Sequence, residues 1–363
     1  MKKQQKLPPY FLVKVLGLFR DFLLNMNRKL FPGSVVLYEQ FQSFWLMQPL
    51  YIAAELDIAG FLKNGPLSVE ELGRLSASDP GSLYRIMRAL ASSGIFKELE
   101  GKRFRQNSRS LALLEGIGSM RHMIIHHLGK INWSANANLL HTVKTGENAF
   151  TNLYGTDIYP YLQKDTDELK RFEKSMNDLS ALAMAPVLSR YDFGKFSSIA
   201  DIGGGEGMLL AGILEQSNRA KGILFDLPEN HNKAEKFLKA AGLSERISYV
   251  PGSFLEPFSL EADLYIMKNV LHNWDDEQCS LILKNLRRNM KKDSILLVLE
   301  LLVPAPGVAS YAKMVDIQML STMPGGRERT REEYASLLSK SGFGLKRIIP
   351  TIAPLSILET SLE

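Results

Sequence analysis

From Ile199 to Gly207 the chain reads Ile-Ala-Asp-Ile-Gly-Gly-Gly-Glu-Gly, an apolar stretch running into four glycines within five positions. An apolar helical segment, Met208 to Leu214, follows at once. Glycines at a strand-to-helix turn let a ligand lie against bare backbone. The helix beyond offers unpaired N–H groups and the positive end of a dipole. Such a turn suits a nucleotide-like cofactor, either a dinucleotide or another adenosine compound. A dinucleotide fingerprint starting at Gly203 requires Gly203, Gly205 and a third Gly or Ala at position 208, which is Met208 here. Further along, His272 sits in Lys268-Asn269-Val270-Leu271-His272-Asn273-Trp274-Asp275-Asp276-Glu277. A histidine near its neutral pKa can accept a proton during a reaction.

The elements that would position these residues change character near residue 190. From Ser197 onward strands alternate with helices, the signature of a parallel α/β sheet. The candidate strands are Ser198–Ile202, Gly222–Asp226, Ile247–Val250, Ala262–Met267 and Ile295–Glu300. A helix from Arg331 to Ser341 precedes two closing strands, Leu345–Thr351 and Ser356–Leu362. The preceding part is mostly helical and holds a compact unit from about Leu50 to Leu111. There Ser68-Val69-Glu70-Glu71 forms a capping box, and Asp79-Pro80 supplies an N-cap and first-turn proline. Leu83, Ile86, Met87 and Leu90 make the inner face of that second helix, and Gly94 ends it. Ile95–Leu99 and Arg103–Arg105 then predict a small hairpin around Glu100-Gly101-Lys102. Helix, turn, helix and β-wing make a winged-helix pattern.

Composition narrows the function classes. The chain has 363 residues, 45% of them hydrophobic, and a formal net charge of +5. That length predicts about two domains. Lysine and arginine are scattered, so the mild positive balance is weak ground for nucleic-acid binding. The single cysteine, Cys279, excludes a disulfide framework or a multi-cysteine metal site and fits a reducing cytoplasm. It lies in register with Ile282, Leu283, Leu286 and Met290, as a core thiol would. His122, His126, His127 and His141 lack a matching set of acids or cysteines, and no metal is assigned. The longest uncharged run, Gln40 to Ala54, is too short and too polar to span a bilayer, and no signal peptide is read at the N-terminus.

The run from Asp201 to Gly207 has the spacing D-x-G-x-G-x-G and resembles the first motif of S-adenosylmethionine-dependent methyltransferases. Phe225-Asp226-Leu227-Pro228, Gly252-Ser253-Phe254, the stretch Lys268–Glu277, and Gly325-Gly326-Arg327-Glu328-Arg329-Thr330 extend the likeness. In order and spacing the segments resemble the small-molecule O-methyltransferases typified by plant caffeate and hydroxyindole enzymes and by bacterial polyketide and carotenoid ones. The resemblance runs from about Phe41 to the C-terminus. It implies a Rossmann-like α/β methyltransferase sheet with an N-terminal, mostly helical winged-helix dimerisation domain. The expected division is an amphipathic arm over 1–35, the winged-helix domain over 36–115, a helical connector lining the acceptor pocket over 116–190, and the cofactor domain over 191–363.

The same resemblance assigns roles. Asp201, Gly203, Gly205, Asp226, Leu227, Ser253, Phe254 and Lys268 fall on the cofactor side, Asp226 being placed to accept the ribose hydroxyls. His272 is the expected base, taking the proton of a phenol or enol as the methyl group moves. Glu300 and Glu328 match the two acids that flank it, and a carboxylate on the distal imidazole nitrogen fixes the tautomer. Glu328 stands among charges, a setting that fits solvent exposure. Met176, in Phe172-Glu173-Lys174-Ser175-Met176, and Asn273 are expected at the acceptor pocket. Two departures stand out: Ser253 replaces the family's usual Asp at the adenine, which loses a charge-assisted hydrogen bond, and Asn273 replaces a frequent Asp. The expected partners are S-adenosylmethionine, a lipophilic small-molecule acceptor and a second copy of the chain, without nucleic acid.

Two other readings compete with methyl transfer: the same fold binding S-adenosylmethionine for a rearrangement or hydroxylation, and a winged-helix DNA-binding regulator. In the latter, Tyr84, Arg85 and Arg88 would reach phosphates. Within the arm, Val15, Phe19, Phe22, Leu23, Met26 and Leu30 share a helical face opposite Lys14, Asp21, Asn25 and Arg28. Such a stripe needs an apolar partner. The dimer body is one choice; peripheral membrane contact through residues 10–31, aided by Lys2, Lys3 and Lys6, is the other.

Overall fold

The computed structural model describes residues 7–363 except Ile117 and Asn218, so Lys2, Lys3 and Lys6 lie outside the described residues. The chain divides into two compact units, Met1–Ser134 with Leu162–Leu182, and Ala135–Tyr161 with Ala183–Glu363. The segment 116–190, expected as one connector, therefore contributes to both.

The first unit begins with the helix Tyr10–Leu30, none of whose residues is buried, followed by the helix Gly33–Glu55. A winged-helix arrangement comes next. Ser68 caps the helix Val69–Leu75 through a full capping box with Glu71, as the sequence predicts. Asp79 caps the helix Pro80–Ser92 by accepting from the Ser82 N–H, and Gly94 follows it in the left-handed region at φ 78°. Three short strands, β1 (Leu67–Ser68), β2 (Lys97–Leu99) and β3 (Arg103–Arg105), pair antiparallel in the order β1-β3-β2. Leu83, Met87 and Leu90 join Leu72, Phe96 and Phe104 in one core, with Ile86 packed at its margin. The Tyr84 hydroxyl donates to Glu98 in the wing at 2.8 Å, and Arg88 and Lys102 lie over its ring. Two of the three candidate phosphate contacts, Tyr84 and Arg88, thus face each other.

In the second unit the strands are β4 (Ser198–Ile202), β5 (Lys221–Asp226), β6 (Ile247–Pro251), β7 (Leu264–Lys268), β8 (Ile295–Val303), β9 (Arg329–Thr330), β10 (Phe343–Pro350) and β11 (Leu355–Leu362). Among the described residues the main path is β10-β11-β8-β7-β4-β5-β6, with β9 pairing β8. The strands β4 to β8 pair in parallel, and β10 and β11 close the edge antiparallel. Alternate side chains fill two cores: Ile199, Leu264, Ile266, Leu297 and Leu299 on one face, Ala200, Ile202, Tyr265, Met267, Leu296 and Val298 on the other. Burial on both faces explains why these strands read as continuous apolar runs. Cys279 sits in the second core beside Ile282, Leu283 and Leu286.

The largest departure from the expected strand bounds is at the end of β8. β8 runs three residues past Glu300, because β11 pairs with Leu301 and β9 pairs with Leu302 and Val303, supplying ladder partners there. Glu300 therefore lies inside the strand rather than at its end. No helix among the described residues is long and apolar enough to cross a membrane.

The helix Arg331–Lys340 buries Tyr334, Leu337 and Leu338 in the second core and starts directly behind β9. A second capping box holds that start: Thr330 Oγ1 accepts from the Glu333 N–H at 3.2 Å, and Glu333 Oε2 accepts from the Thr330 N–H at 2.7 Å. Thr330→Ala should cost ~1 kcal/mol of folding stability. Urea denaturation will read this as a lower midpoint at unchanged slope; an unchanged midpoint would show that the cap is energetically idle.

Candidate active site

The parallel strands of the second unit end at one edge of the sheet, and the segments singled out in the sequence emerge there. At the end of β4, Gly203, Gly205 and Gly207 adopt φ of 72°, 61° and 85°, a region costly for any residue with a Cβ. A Cβ on Gly203 would press on Val270 and Phe254 at 3.1 and 3.3 Å, whereas one on Gly205 would meet nothing within 4 Å. Gly203 is thus favoured by its backbone conformation and by tight side-chain packing. Gly205 leaves open space above bare backbone, in front of the helix Met208–Gln216. That is the cradle a nucleotide-like group needs.

Asp226, the last residue of β5, holds this loop. Its Oδ2 accepts from the Gly205 N–H at 2.6 Å, and its Oδ1 accepts from the Leu227 N–H at 2.7 Å and from Asn230 Nδ2 at 2.8 Å. Asn230 was not singled out by sequence reasoning; its place four residues after the carboxylate in a turn is the signal that could have found it. Leu227 exposes its apolar side chain, and Phe254 stands edge-on to Trp274 at 6.1 Å between ring centres. The Ser253 hydroxyl accepts from the Leu255 N–H at 3.2 Å. Beneath the loop lies Asp201, whose burial pushes its pKa up to about 7, with Lys268 countering and Asp226 adding to the rise. Lys268 is itself lowered by burial, against the pull of Asp201 and Glu300.

His272 sits on the short 3-10 turn Leu271–Asn273, after Asn269 turns the chain in the left-handed region at φ 53°. Glu300 Oε1 accepts from the backbone N–H groups of Val270 and Leu271 at 3.0 and 2.9 Å. His272 Nδ1 lies 2.8 Å from Glu328 Oε1 and 3.9 Å from Glu300 Oε2. Burial opposes a charged imidazole, but the two carboxylates outweigh it and raise the His272 pKa above 6.5, while Lys268 works against them. Glu300 is pushed up to about 7 by burial and by Glu328, with His272 pulling it back. An ionised carboxylate only accepts, so the Nδ1–H donates to Glu328 and Nε2 is left as the ring's acceptor. Asn273 turns back to the backbone, its Nδ2 donating to the Asn269 carbonyl at 3.2 Å.

Glu328 is 4% exposed, contrary to the exposure its charged neighbours suggested. In Arg327-Glu328-Arg329 the glutamate turns inward to the histidine, and its backbone N–H donates to Asp316 at 2.9 Å. Arg329 is fully buried, and sequence reasoning gave it no role. Its guanidinium donates to the carbonyls of Leu271 and Trp274 at 3.0 and 2.8 Å and to Asp276 Oδ1 at 2.8 Å. The Arg327 N–H donates to the His272 carbonyl at 2.8 Å. Three consecutive residues thus bind the histidine turn from one side. Cys279 adds its thiol to the Leu271 carbonyl at 3.1 Å.

Among the described residues, no other histidine brings two acids together so closely that all three ligand atoms lie within 4.8 Å of one another. His122 pairs with Asp178 at 3.1 Å and His141 with Glu147 at 2.7 Å, acids that sequence distance concealed. Burial lowers the pKa of His126 to about 3 and also lowers that of His127. Met176 is half-buried on the helix Thr166–Leu188, in the part of it that belongs to the first unit.

Comparison with known proteins gives the family of the chain. Residues 136–344 match the O-methyltransferase domain family, and residues 38–116 match the O-methyltransferase dimerisation domain. The chain is 36% identical to a phenazine O-methyltransferase of Lysobacter antibioticus, over 90% of this chain and 96% of that one. It is 33% identical to a mitomycin biosynthesis 6-O-methyltransferase of Streptomyces lavendulae, over 88% and 91%. Among solved structures, an O-methyltransferase from neocarzinostatin biosynthesis, in complex with S-adenosylmethionine and 2-hydroxy-5-methyl naphthoic acid, superposes with a TM-score of 0.75. It is 26% identical, over 87% of this chain and 96% of that one.

Arg329→Leu should destabilise the fold, since each buried carbonyl left without its donor costs about 1–3 kcal/mol. The His272 imidazole resonances should shift as the turn loosens. Denaturation and NMR of the histidine ring test this; a variant within ~0.5 kcal/mol of the parent, the scatter of ordinary surface changes, would remove Arg329 from any positioning role.

Proposed function

Because this chain belongs to the S-adenosylmethionine-dependent O-methyltransferase family, we propose that it methylates a hydroxyl of an aromatic or conjugated, lipophilic small molecule, with His272 as the general base. The observation that carries this reading is the 2.8 Å contact between His272 Nδ1 and the buried Glu328, which leaves Nε2 as a proton acceptor. A phenazine enzyme and an enzyme crystallised with a naphthoic acid among the similar proteins support an aromatic acceptor.

S-adenosylmethionine supplies the methyl group as an electrophile on a sulfonium. The open space over Gly205 and the exposed Leu227 fit an adenosine group, with Asp226 on the ribose, Phe254 and Leu227 beside the adenine, and Ser253 offering a hydroxyl to it. Asp226 already accepts three hydrogen bonds of the roughly four a carboxylate takes, so ribose hydroxyls must replace at least one present donor. Lys268 and Asp201 balance charge beneath the loop. At the acceptor side, His272 takes the hydroxyl proton on Nε2 as the oxygen gains its methyl group. Glu328 and Glu300 stabilise the imidazolium that results, and Glu300 holds the turn through two backbone N–H groups. Positioning supplies the rest of the acceleration. Asn273, next to the base in the chain, remains our candidate for the acceptor side of this unit.

We further read the chain as a homodimer. Residues 38–116 match a dimerisation domain, and the preceding helix exposes Phe11, Phe19, Phe22 and Leu30 at 58–76%. An apolar stripe of this extent needs cover, and a second copy is the partner the domain provides.

His272→Ala should lower turnover by ~10²–10⁴ and leave cofactor affinity nearly intact, whereas Asp226→Ala should chiefly weaken cofactor binding in calorimetry. Because the base must be neutral and its pKa is raised, the parent's rate should climb with pH through a midpoint above 6.5. Unchanged turnover in His272→Ala, with chemistry rate-limiting, would displace the base. Deleting residues 1–30 should convert the dimer to monomer or aggregate in light scattering. A deletion that stays dimeric, but loses flotation with anionic vesicles that the parent shows, would move the arm to a membrane surface.

A further inference from the structure

We propose that His272, Glu300 and Glu328 form a latent site for one Zn²⁺ ion, which switches the enzyme off by exchanging the tautomer of the histidine. The inhibition half of this proposal rests on His272 being the base; the binding half does not.

Each of the three side chains offers one ligand atom, and these atoms lie within 4.8 Å of one another. Two observations separate this group from an ordinary acidic cluster. Glu300 Oε2 and Glu328 Oε2 are buried and have no hydrogen-bond partner among the described residues, so each carboxylate keeps a desolvated oxygen that nothing satisfies. The spacing also suits a small ion. A four-coordinate zinc with ligand distances of about 2.0–2.2 Å sets its donors roughly 3.4 Å apart. The present separations from His272 Nδ1, 2.8 Å to Glu328 and 3.9 Å to Glu300, bracket that value. Shifts of about half an ångström would seat the ion.

The donor set selects the metal. One imidazole and two carboxylates suit zinc, whereas Mg²⁺ and Ca²⁺ need more oxygen ligands than this site provides. Lys268, which faces both His272 and Glu300 electrostatically, opposes any cation and keeps the site from being a strong one.

The chemical consequence follows from the ring. In the working arrangement Nδ1 carries the proton and Nε2 accepts. Zinc on Nδ1 takes the lone pair that deprotonation exposes there, and the neutral ring must then carry its proton on Nε2. One proton leaves Nδ1 to solvent and one arrives at Nε2, so nothing is oxidised or reduced. An Nε2–H cannot receive the proton of the acceptor hydroxyl, and methyl transfer stops until the ion is removed.

The test is equilibrium dialysis of the full chain against ZnCl₂, with Co²⁺ as a visible-absorption probe of the coordination. The expected result is one zinc per chain, weakened at least tenfold by His272→Gln and by Glu328→Gln but not by His141→Gln. Added zinc should inhibit the parent, and a chelator should restore it. Circular dichroism first establishes that each variant is folded; if Glu328→Gln is not, His272→Gln decides. Zinc binding that survives His272→Gln undiminished, or no binding at a large excess of zinc, would overturn the site. If zinc binds as expected but His272→Ala retains full turnover, the base assignment has failed and the metal site stands.

Discussion

The contacts between two chain segments, Leu271–Asp276 and Arg327–Arg329, govern the rest of this site. The histidine turn is short and has little regular structure of its own, so its geometry must come from outside. Glu300 holds its entry through two backbone N–H groups, Arg329 holds its carbonyls from below, and Arg327 binds the carbonyl of His272 itself. Only with the backbone fixed in this way does the single contact to Glu328 define where the imidazole points. The cost is three charged side chains with little or no exposure in one place. That cost is met because nearly every polar atom has a partner, and buried charge without partners would be far more expensive. The exceptions, one oxygen on each glutamate, fall beside His272.

At the cofactor edge the same economy of geometry holds with different parts. Parallel pairing brings the ends of β4, β5 and β7 level, so the glycine loop, Asp226 and Lys268 meet although they are far apart in the chain. Asp226 organises the loop by accepting from Gly205 before any ligand arrives. A preformed loop lowers the ordering cost of binding. On the proposed reading, a ribose hydroxyl that replaces one of these donors exchanges one hydrogen bond for another.

Much of this was legible in the chain. Strand and helix positions in the second unit followed from apolar runs and glycine turns to within a few residues, because burial on both sheet faces writes an unbroken apolar pattern. Both the capping box at Ser68 and the cap at Asp79 followed from local chemistry alone. The family resemblance singled out His272, Glu300 and Glu328 from motif order. Three features escaped. Glu328 looked exposed because its neighbours are charged, yet Arg329 is drawn inward by backbone carbonyls, which have no side-chain signature in sequence. The extension of β8 past Glu300 depends on pairing with β9 and β11, strands that are remote in the chain. Asn230 and the acids beside His122 and His141 were hidden among polar residues that look alike until the fold selects which of them meet.

The sequence by itself determined the kind of residues available: a glycine turn that only a close-lying ligand or packing explains, an acid after the second strand, and a histidine with two glutamates at family spacing. Tertiary structure decided which nitrogen of the histidine is left to accept a proton, which glutamate clamps backbone and which meets the ring, and that both acids are buried. The physical reason is that local propensity and pattern act over a few residues, whereas desolvation and hydrogen-bond partnership are set by neighbours 28 and 56 positions away, as Glu300 and Glu328 are from His272.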